Sequence, residues 1–163
     1  MTKIGLLSDT HGYVDDKLFD FFGQVDQIWH AGDLGSLDVL DKLSEKAILK
    51  AVYGNIDDQK IRNILPEHQR FICEEKSVWI THIGGYPNNY DFKIRNEIYR
   101  NPPDIFISGH SHILKVINDK KLNLLHINPG AYGKNGLHKF RTAIKFIIDK
   151  DNISDMQVLE IVR

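Results

Sequence analysis

The chain has 163 residues, of which 42% are hydrophobic and 26% are charged, and this composition predicts one globular domain spanning residues 1–163. The formal net charge of −1 excludes a dedicated nucleic-acid-binding protein, because no basic excess is available to neutralise a row of phosphates. One cysteine excludes an intramolecular disulfide and a thiolate metal site, and no apolar stretch reaches the roughly 18 residues of a membrane-spanning helix, so we expect a cytoplasmic protein without a membrane partner.

The first predicted elements are a strand, a helix and a second strand. Residues 3–8 form a short apolar run that predicts a buried strand, and Asp15 or Asp16 is placed to cap the helix that follows. The apolar positions of this helix are spaced i, i+3, i+4 and i+7: Leu18, Phe21, Phe22 and Val25. Residues 26–33 predict the second strand, which ends in a Gly-Asp turn.

A second helix and a third strand follow. Ser36 is placed to cap a helix with one apolar face, formed by Leu37, Leu40 and Leu43. Residues 47–55 predict a strand that again ends in glycine and a polar residue. We expect residues 57–68 to be irregular, because Pro66 breaks any helix there.

The second half of the chain predicts mainly hairpins. Residues 68–82 predict a hairpin that turns near residues 74–77, residues 89–100 a helix, and residues 104–110 a further strand. Residues 113–130 and 142–162 predict two hairpins with charged turns. Strands alternating with helices and then following one another favour an α/β fold in which two sheets pack face to face, with helices outside.

Each predicted strand in the first two-thirds of the chain ends in residues that can bind a metal. They are Asp9 and His11, Asp33, Asn55, His82, and finally His110 with His112. In an open α/β sheet ligands collect outside the carboxyl ends of the strands, so these side chains are expected to converge. Each residue alone has an ordinary explanation as a turn, a cap or a hydrogen-bonded strand end, but seven nitrogen or oxygen ligands at five strand ends favour a metal site.

The pair His110 and His112 stands one residue apart, directly after the apolar run of residues 105–107. If this segment is extended, residues i and i+2 point to the same side, so both imidazoles project together. Two neutral imidazoles that point the same way suit a metal ion better than a core.

Seven protein ligands exceed the number that one tetrahedral ion takes, but they suit two ions that share a carboxylate. Asp33 stands alone in its turn and in the middle of the set, which makes it the natural bridge. Two divalent ions, the carboxylates of Asp9 and Asp33, and a bound hydroxide sum to about +1, which favours a phosphate oxyanion. The chemistry predicted is in-line attack on phosphorus by a hydroxide bound to a dinuclear centre.

The ordered motifs "SDTHG", "GDLGS", "GNID", "TH" at residues 81–82, "GHSH" and "NPG" resemble those of the calcineurin-like metallophosphoesterase superfamily. The small size is similar to that of its YfcE-like phosphodiesterase branch. This resemblance implies a four-layer αββα sandwich of two mixed sheets and a metal-dependent phosphoesterase, most simply a phosphodiesterase. It also implies a small phosphate-ester substrate and association into homo-oligomers.

By the same resemblance, the first ion is held by Asp9, His11, His112 and the bridging Asp33. The second ion is held by Asn55, His82, His110 and again Asp33. Catalytic roles fall to Asp33, Asn55 and His82, and Asn55 also binds substrate by orienting a phosphate oxygen. The ligand types suit two divalent ions, with Mn as the first choice and Ni, Co, Zn, Fe or Mg as alternatives.

Two positions depart from the family pattern. Many members have a histidine where this chain has Ile56, so a residue that could protonate the leaving group is missing. His82 is followed by Ile83, where relatives often have glycine. Asp57 is expected either to orient a neighbouring ligand or to serve only as a turn residue.

Two other functional classes stay open. One is a non-catalytic protein-binding scaffold with the same fold, like the small subunit of retromer, and the other is a metal-holding sensor with negligible turnover. Intact ligand positions favour the enzyme over the scaffold. Of the remaining histidines, His30 is a candidate contact of the site, and we expect the others at the surface or at sheet edges: His68, His126 and His138.

Overall fold

The computed structural model describes residues 1–163 and contains two five-stranded sheets and four helices. The elements in chain order are β1 (Thr2–Leu7), α1 (Asp16–Phe22), β2 (Gln27–His30), α2 (Leu37–Lys46), β3 (Ile48–Ala51), α3 (Gln59–Arg62), β4 (His68–Cys73), β5 (Lys76–Thr81), β6 (Gly85–Tyr86), β7 (Asn89–Tyr90), α4 (Phe92–Arg100), β8 (Ile105–Ile107), β9 (Leu114–Asp119), β10 (Leu124–Pro129), β11 (Phe140–Asp149) and β12 (Asn152–Val162). None of the helices combines the length and the apolar composition needed to cross a membrane.

Both sheets are mixed. The first has the strand order β12-β11-β1-β2-β3, in which β1, β2 and β3 run parallel and β11 and β12 are antiparallel additions. The second has the order β4-β5-β8-β10-β9, with β5, β8 and β10 parallel. The parallel strands end together, so the loops that follow them gather at one edge of each sheet.

The alternation of side chains along the strands builds four layers. In β1, Ile4 and Leu6 face the other sheet, whereas Leu7 packs with the helices α1 and α2. In β8, the outer strand face carries Phe106, which packs with α4. Strands covered on both faces are hydrophobic throughout, which explains why their sequences do not alternate. The predicted αββα sandwich is therefore confirmed.

Helices α1 and α2 begin where the sequence predicted them. The Asp15 carboxylate accepts a hydrogen bond from the backbone N–H of Leu18, and the Ser36 hydroxyl accepts one from Val39. Asp15, rather than Asp16, is thus the cap of α1. Each cap satisfies one of the free N–H groups of a first helical turn.

Two helix boundaries were predicted wrongly, and one short helix was not predicted. Helix α1 ends at Phe22 because Gly23 adopts a left-handed conformation (φ 60°), so Val25 lies beyond the helix. The segment of residues 57–68, expected to be irregular, contains the short helix α3, capped by Asp58. Helix α4 begins three residues later than predicted, because the residues before it pair as the two-residue strands β6 and β7.

His126 was expected at the surface or at a sheet edge, but it is fully buried on β10, an inner strand of the second sheet. Its ring packs between those of Phe106 and Tyr86, with centroids 5.7 and 5.3 Å away, and Nε2 lies 3.1 Å from the carbonyl oxygen of Gly85. Burial lowers the pKa of His126 to about 4, so the ring is neutral and donates its one N–H to that carbonyl. A surface role is excluded by this packing.

Acid should destabilise the metal-free protein through His126. Its pKa is depressed from 6.5 to about 4 in the folded state, so its contribution to stability is complete above pH 6.5 and is lost as the pH falls towards 4. Between pH 7 and pH 5 we expect the free energy of unfolding to fall by about 2 kcal/mol more in the native protein than in His126→Gln. Urea unfolding at both pH values measures this difference. His68→Gln, at an exposed histidine, is the control and should lose as much unfolding free energy between pH 7 and pH 5 as the native protein. Equal losses in the native protein, His126→Gln and His68→Gln would contradict the assignment of this acid sensitivity to His126.

Candidate metal centre

Five of the seven predicted ligands meet at the carboxyl ends of β1, β2, β5 and β8. Their nitrogen and oxygen ligand atoms form two groups, and within each group all atoms lie within 4.8 Å of one another. The groups are Asp9, His11 and His112, and Asp9, Asp33 and His82. Asp9 belongs to both, so the two groups form one continuous cluster.

Asp9 lies at the bottom of the cluster and is fully buried. Its Oδ2 accepts hydrogen bonds from the Ser8 hydroxyl (2.6 Å) and from the backbone N–H of His110 (3.1 Å). Its Oδ1 has no hydrogen-bond partner, although His112 Nε2 lies 3.1 Å away, and Nε2 of His11 is buried and unpartnered too. A carboxylate oxygen and an imidazole nitrogen left free side by side are what a divalent ion requires.

The two oxygens of the Asp33 carboxylate have different partners. Oδ1 accepts a hydrogen bond from the backbone N–H of Ile56 at 3.0 Å, which fixes the carboxylate. Oδ2 lies 3.2 Å from Nε2 of His82 and 3.7 Å from Nε2 of His11. Oδ2 of Asp33 therefore lies between His11 and His82, one histidine from each of the two groups of ligand atoms. A bridging ligand needs this position.

His82 is held in the orientation that a ligand requires. Its Nδ1 lies 2.7 Å from the carbonyl oxygen of Ala31 and donates to it, so Nε2 is the atom directed at the cluster. Nε2 faces the oxygens of Asp33 and Asn55, the latter at 3.0 Å. Burial alone would lower the pKa of His82, but the hydrogen bond that its ring donates to Asp33 and the charge of Asp9 raise it. The pocket around Nε2 thus favours positive charge.

The two carboxylates of the cluster are ionised. Burial alone would raise the pKa of Asp9, but the close approach of the His112 ring, the charge of His82 and the hydrogen bond from Ser8 lower it. For Asp33, hydrogen bonds from His82 and the N–H of Ile56 likewise outweigh burial and lower the pKa. Neither carboxylate has a lysine or arginine partner; histidines are the only basic groups in contact with them.

The remaining two predicted ligands lie beside the cluster. Asn55 is exposed, with its Oδ1 against His82 Nε2. His110 is also exposed, and its ring centroid is 5.3 Å from that of His82. The structure thus places both on the side of His82, as expected for ligands of the second ion, but they are not members of the compact groups, and their role stays a prediction.

The backbone at these residues differs from what the sequence suggested. His110 and His112 were expected in an extended segment, but their φ angles are 69° and 60°, in the left-handed region. Their approach to Asp9 therefore comes from a tight turn after β8 and not from strand alternation. The same conformation occurs at three more predicted ligands, namely Asp9, His11 and Asp33.

Asp57 joins the turn that carries Asp33 to the turn that carries Asn55. It is buried, and its carboxylate accepts hydrogen bonds from the N–H groups of Leu34 (3.1 Å), Gly35 (2.8 Å) and Gly54 (2.8 Å). Of the two roles left open by the sequence, the structure favours orientation of the ligand turns. Gly54 is required here, because a Cβ atom would collide with the Asp33 carboxylate.

No sequence motif pointed to His138, which was expected at the surface or at a sheet edge. Its ring is partly buried and stacks edge-on against His112, with centroids 5.1 Å apart, and Nε2 lies 2.9 Å from the carbonyl oxygen of Gly133. It stands outside every motif, in a glycine-containing loop whose path cannot be read from local patterns. His30, by contrast, is buried and contacts the Thr10 hydroxyl at 3.0 Å, behind the Asp9 turn.

Comparison with known proteins identifies the family of this chain. Residues 2–151 match the family model of the calcineurin-like phosphoesterase superfamily domain. A probable metallophosphoesterase from Methanothermobacter thermautotrophicus is 33% identical to this chain over 135 residues, which cover 78% of this chain and 76% of the relative. The residues matched by the family model include all five members of the cluster.

Solved structures show the same fold at lower sequence identity. Wild-type Vps29 from Entamoeba histolytica, in complex with Zn²⁺, is 16% identical and superimposes with a TM-score of 0.75 over 98% of each chain. A structure described as a novel archaeal phosphodiesterase is 24% identical and superimposes with a TM-score of 0.72 over 96% of this chain and 99% of the other. Both likenesses concern the fold.

Loss of the Asp57 carboxylate should loosen the cluster. In Asp57→Ala, three backbone N–H groups of the turns lose their acceptor, so we expect the free energy of unfolding to fall by about 3 kcal/mol. The affinity for Mn²⁺, measured by calorimetry, should fall roughly 10- to 100-fold, because the turns carrying Asp33 and Asn55 are no longer joined.

The neighbouring Asp58 provides the control, since it caps α3 by accepting from Ile61 N–H and makes no contact with the ligand turns. Asp58→Ala should cost about 1 kcal/mol and leave the Mn²⁺ affinity unchanged. Equal Mn²⁺ affinities in Asp57→Ala and Asp58→Ala would show that Asp57 is only a turn residue.

Proposed function

The chain belongs to the calcineurin-like phosphoesterase superfamily, and we propose that it is a metal-dependent phosphodiesterase of the YfcE-like branch. The observation that carries this proposal is the cluster itself: two buried, ionised carboxylates with an unpartnered oxygen and histidine nitrogen facing each other. The donor atoms of this cluster suit a divalent cation, and the superfamily uses divalent metals for phosphate-ester chemistry.

We propose two ions, with Asp33 shared between them. Asp9, His11 and His112 would hold the first, and Asn55, His82 and His110 would hold the second. Mn²⁺ is our first choice, and Ni²⁺, Co²⁺, Zn²⁺, Fe²⁺ and Mg²⁺ are the alternatives, because carboxylate, amide and imidazole ligands do not select strongly among them. The position of Asp33 Oδ2 between His11 and His82 supports the shared ligand.

The proposed reaction is hydrolysis of a phosphodiester. The ions, when bound, supply a water molecule of lowered pKa and positive charge for the phosphoryl oxygens. The water oxygen bonds to phosphorus while the ester bond on the opposite side breaks, which gives a phosphomonoester and an alcohol. In this proposal the amide of Asn55, which is exposed, donates to a phosphoryl oxygen. Ile56 cannot supply a proton, so the departing oxygen takes one from solvent.

We propose that the protein acts in the cytoplasm and that its substrate is a small phosphate ester. The buried free thiol of Cys73 fits a reducing compartment. The self-association expected from the resemblance is part of this proposal. The alternative function is a protein-binding scaffold, which the fold shared with Vps29 would allow, and it differs from the enzyme in having no turnover.

Hydrolysis of bis-p-nitrophenyl phosphate tests the proposal. Chelator-treated protein should be inactive, and Mn²⁺ should restore turnover with two ions bound per chain, measured by metal analysis. Asp33→Ala should lose more than 100-fold in rate, because each ion loses a ligand. Asp20→Ala, which removes an exposed carboxylate on α1, is the matched control and should retain the native rate. Bound ions without turnover for any of the candidate metals would favour the scaffold or sensor.

Position 56 should determine the preference for leaving groups. Ile56 is exposed and its backbone N–H binds Asp33, so Ile56→His keeps that contact and adds an imidazole beside the cluster. We expect hydrolysis of alkyl diesters to rise roughly 100-fold relative to p-nitrophenyl diesters, because general acid catalysis assists a poor leaving group. Ile56→Gln, similar in size but unable to donate a proton in this way, should leave the ratio unchanged. An unchanged ratio in Ile56→His with normal metal content would show that protonation is not limiting.

A further inference from the structure

Two grooves open from the cluster in different directions. The first, of about 460 Å³, begins at His110 and is walled by Tyr86; we name it the Tyr86 groove. The second, of about 450 Å³, begins at Asn55 and His82 and is walled by Tyr53; we name it the Tyr53 groove. Each volume lies in the range of roughly 300–1,000 Å³ typical of small-molecule sites.

The two grooves share one wall, formed by Ile83, Asp91 and Phe92. Phe92 is the first residue of α4, and its side chain is 73% exposed although it is a large apolar group. The backbone at Phe92 is held in place by its neighbours in the chain. Asp91 caps the helix by accepting from the N–H of Lys93, and the strands β6 and β7 pair just before it. The shared wall is therefore a fixed part of the fold.

Phe92 also differs from the other rings of the two grooves. One face of Tyr86 is covered by the Lys115 ammonium, 4.9 Å from the ring centroid, and Tyr53 is covered by the Arg62 guanidinium at 4.7 Å. Tyr90 packs edge-on against Phe106 in the core. Phe92 has no aromatic or cationic partner and takes no part in the hydrophobic clusters, so its ring faces are free.

The number of grooves bears on the substrate. A phosphate monoester bound at the cluster has one substituent and would leave one groove unused. A diester has two substituents, and residues that we assign to the second ion lie at the mouths of both grooves: Asn55 and His82 at one, His110 at the other. Two grooves of nearly equal size therefore match a diester with a ring-sized group on each side of the phosphorus.

We propose that the site selects phosphodiesters that carry planar aromatic substituents, one in each groove, and that Phe92 on the shared wall is the specificity-determining residue that stacks against these rings. This inference deepens the proposed function and rests on it. Phe92 contacts neither the ligands nor the core, so it contributes to the choice of substrate and not to the holding of metal. A free aromatic face also accepts a flat substrate ring from either groove.

Binding of three phosphodiesters that differ only in their number of rings tests this proposal. They are diphenyl, methyl phenyl and dimethyl phosphate, and calorimetry on the Mn²⁺-loaded protein gives their dissociation constants. We expect affinity to rise with each ring in the native protein. Phe92→Ala should weaken diphenyl phosphate binding 3- to 10-fold, the loss of a stacking contact, and leave dimethyl phosphate unchanged.

Two variants make the comparison specific to the ring. Phe92→Tyr keeps the aromatic face and should keep the native affinities. Phe140→Ala removes another half-exposed phenylalanine, which lines neither groove, and should have no effect. The same order should appear in KM, with little change in kcat, for hydrolysis of bis-p-nitrophenyl phosphate.

Three results would overturn the inference: diphenyl phosphate binding no tighter than dimethyl phosphate, equal losses for both in Phe92→Ala, or no loss in that variant. Its failure is distinguishable from failure of the proposed function. Turnover of bis-p-nitrophenyl phosphate without any dependence on Phe92 would leave the phosphodiesterase and remove the specificity residue. Ring-dependent binding without turnover would remove the enzyme and leave a binding site for aromatic phosphodiesters.

Discussion

The structure depends on two ionised carboxylates that lie buried at the carboxyl ends of β1 and β2 without a lysine or arginine beside them. Asp9 and Asp33 are buried, and histidines are the only basic side chains near their oxygens. Burying unpaired charge is costly, so the cluster is stable only if protons on the histidines or cations among them supply positive charge. Metal binding replaces the protons, and its free energy is added to that of folding. The site and the stability of the sandwich are therefore linked.

The loops reach this arrangement by extending the sheet beyond its strands. Asp9 N–H donates to the carbonyl oxygen of Gly32 at 2.9 Å, and His11 N–H donates to that of Asp33 at 3.0 Å, so the turns after β1 and β2 stay paired. The turns after β5 and β8 are joined in the same way, from Gly109 to His82. These pairs hold the left-handed ligand residues in a conformation that costs free energy when unsupported.

Patterns that span neighbouring residues could be predicted, and contacts between distant loops could not. The buried strands, the caps Asp15 and Ser36, and the gathering of polar residues at strand ends follow from periodicity and from parallel topology. The turn geometry at His110 and His112 does not, because left-handed φ angles are decided by hydrogen bonds from other loops. The positions of His126 and His138 likewise depend on the packing of segments far apart in the chain, and so does the pairing of β6 with β7, which shortens α4.

The ligands come from both sheets of the sandwich. Asp9, His11 and Asp33 follow strands of the first sheet, whereas His82 and His112 follow strands of the second. An ion held by both sets would join the loop edges of the two sheets and act as a cross-link there. The sheets cannot then slide or separate without first releasing the ion, so metal slows unfolding as well as favouring the folded state. For a chain without any disulfide, this cross-link would set the lifetime of the fold.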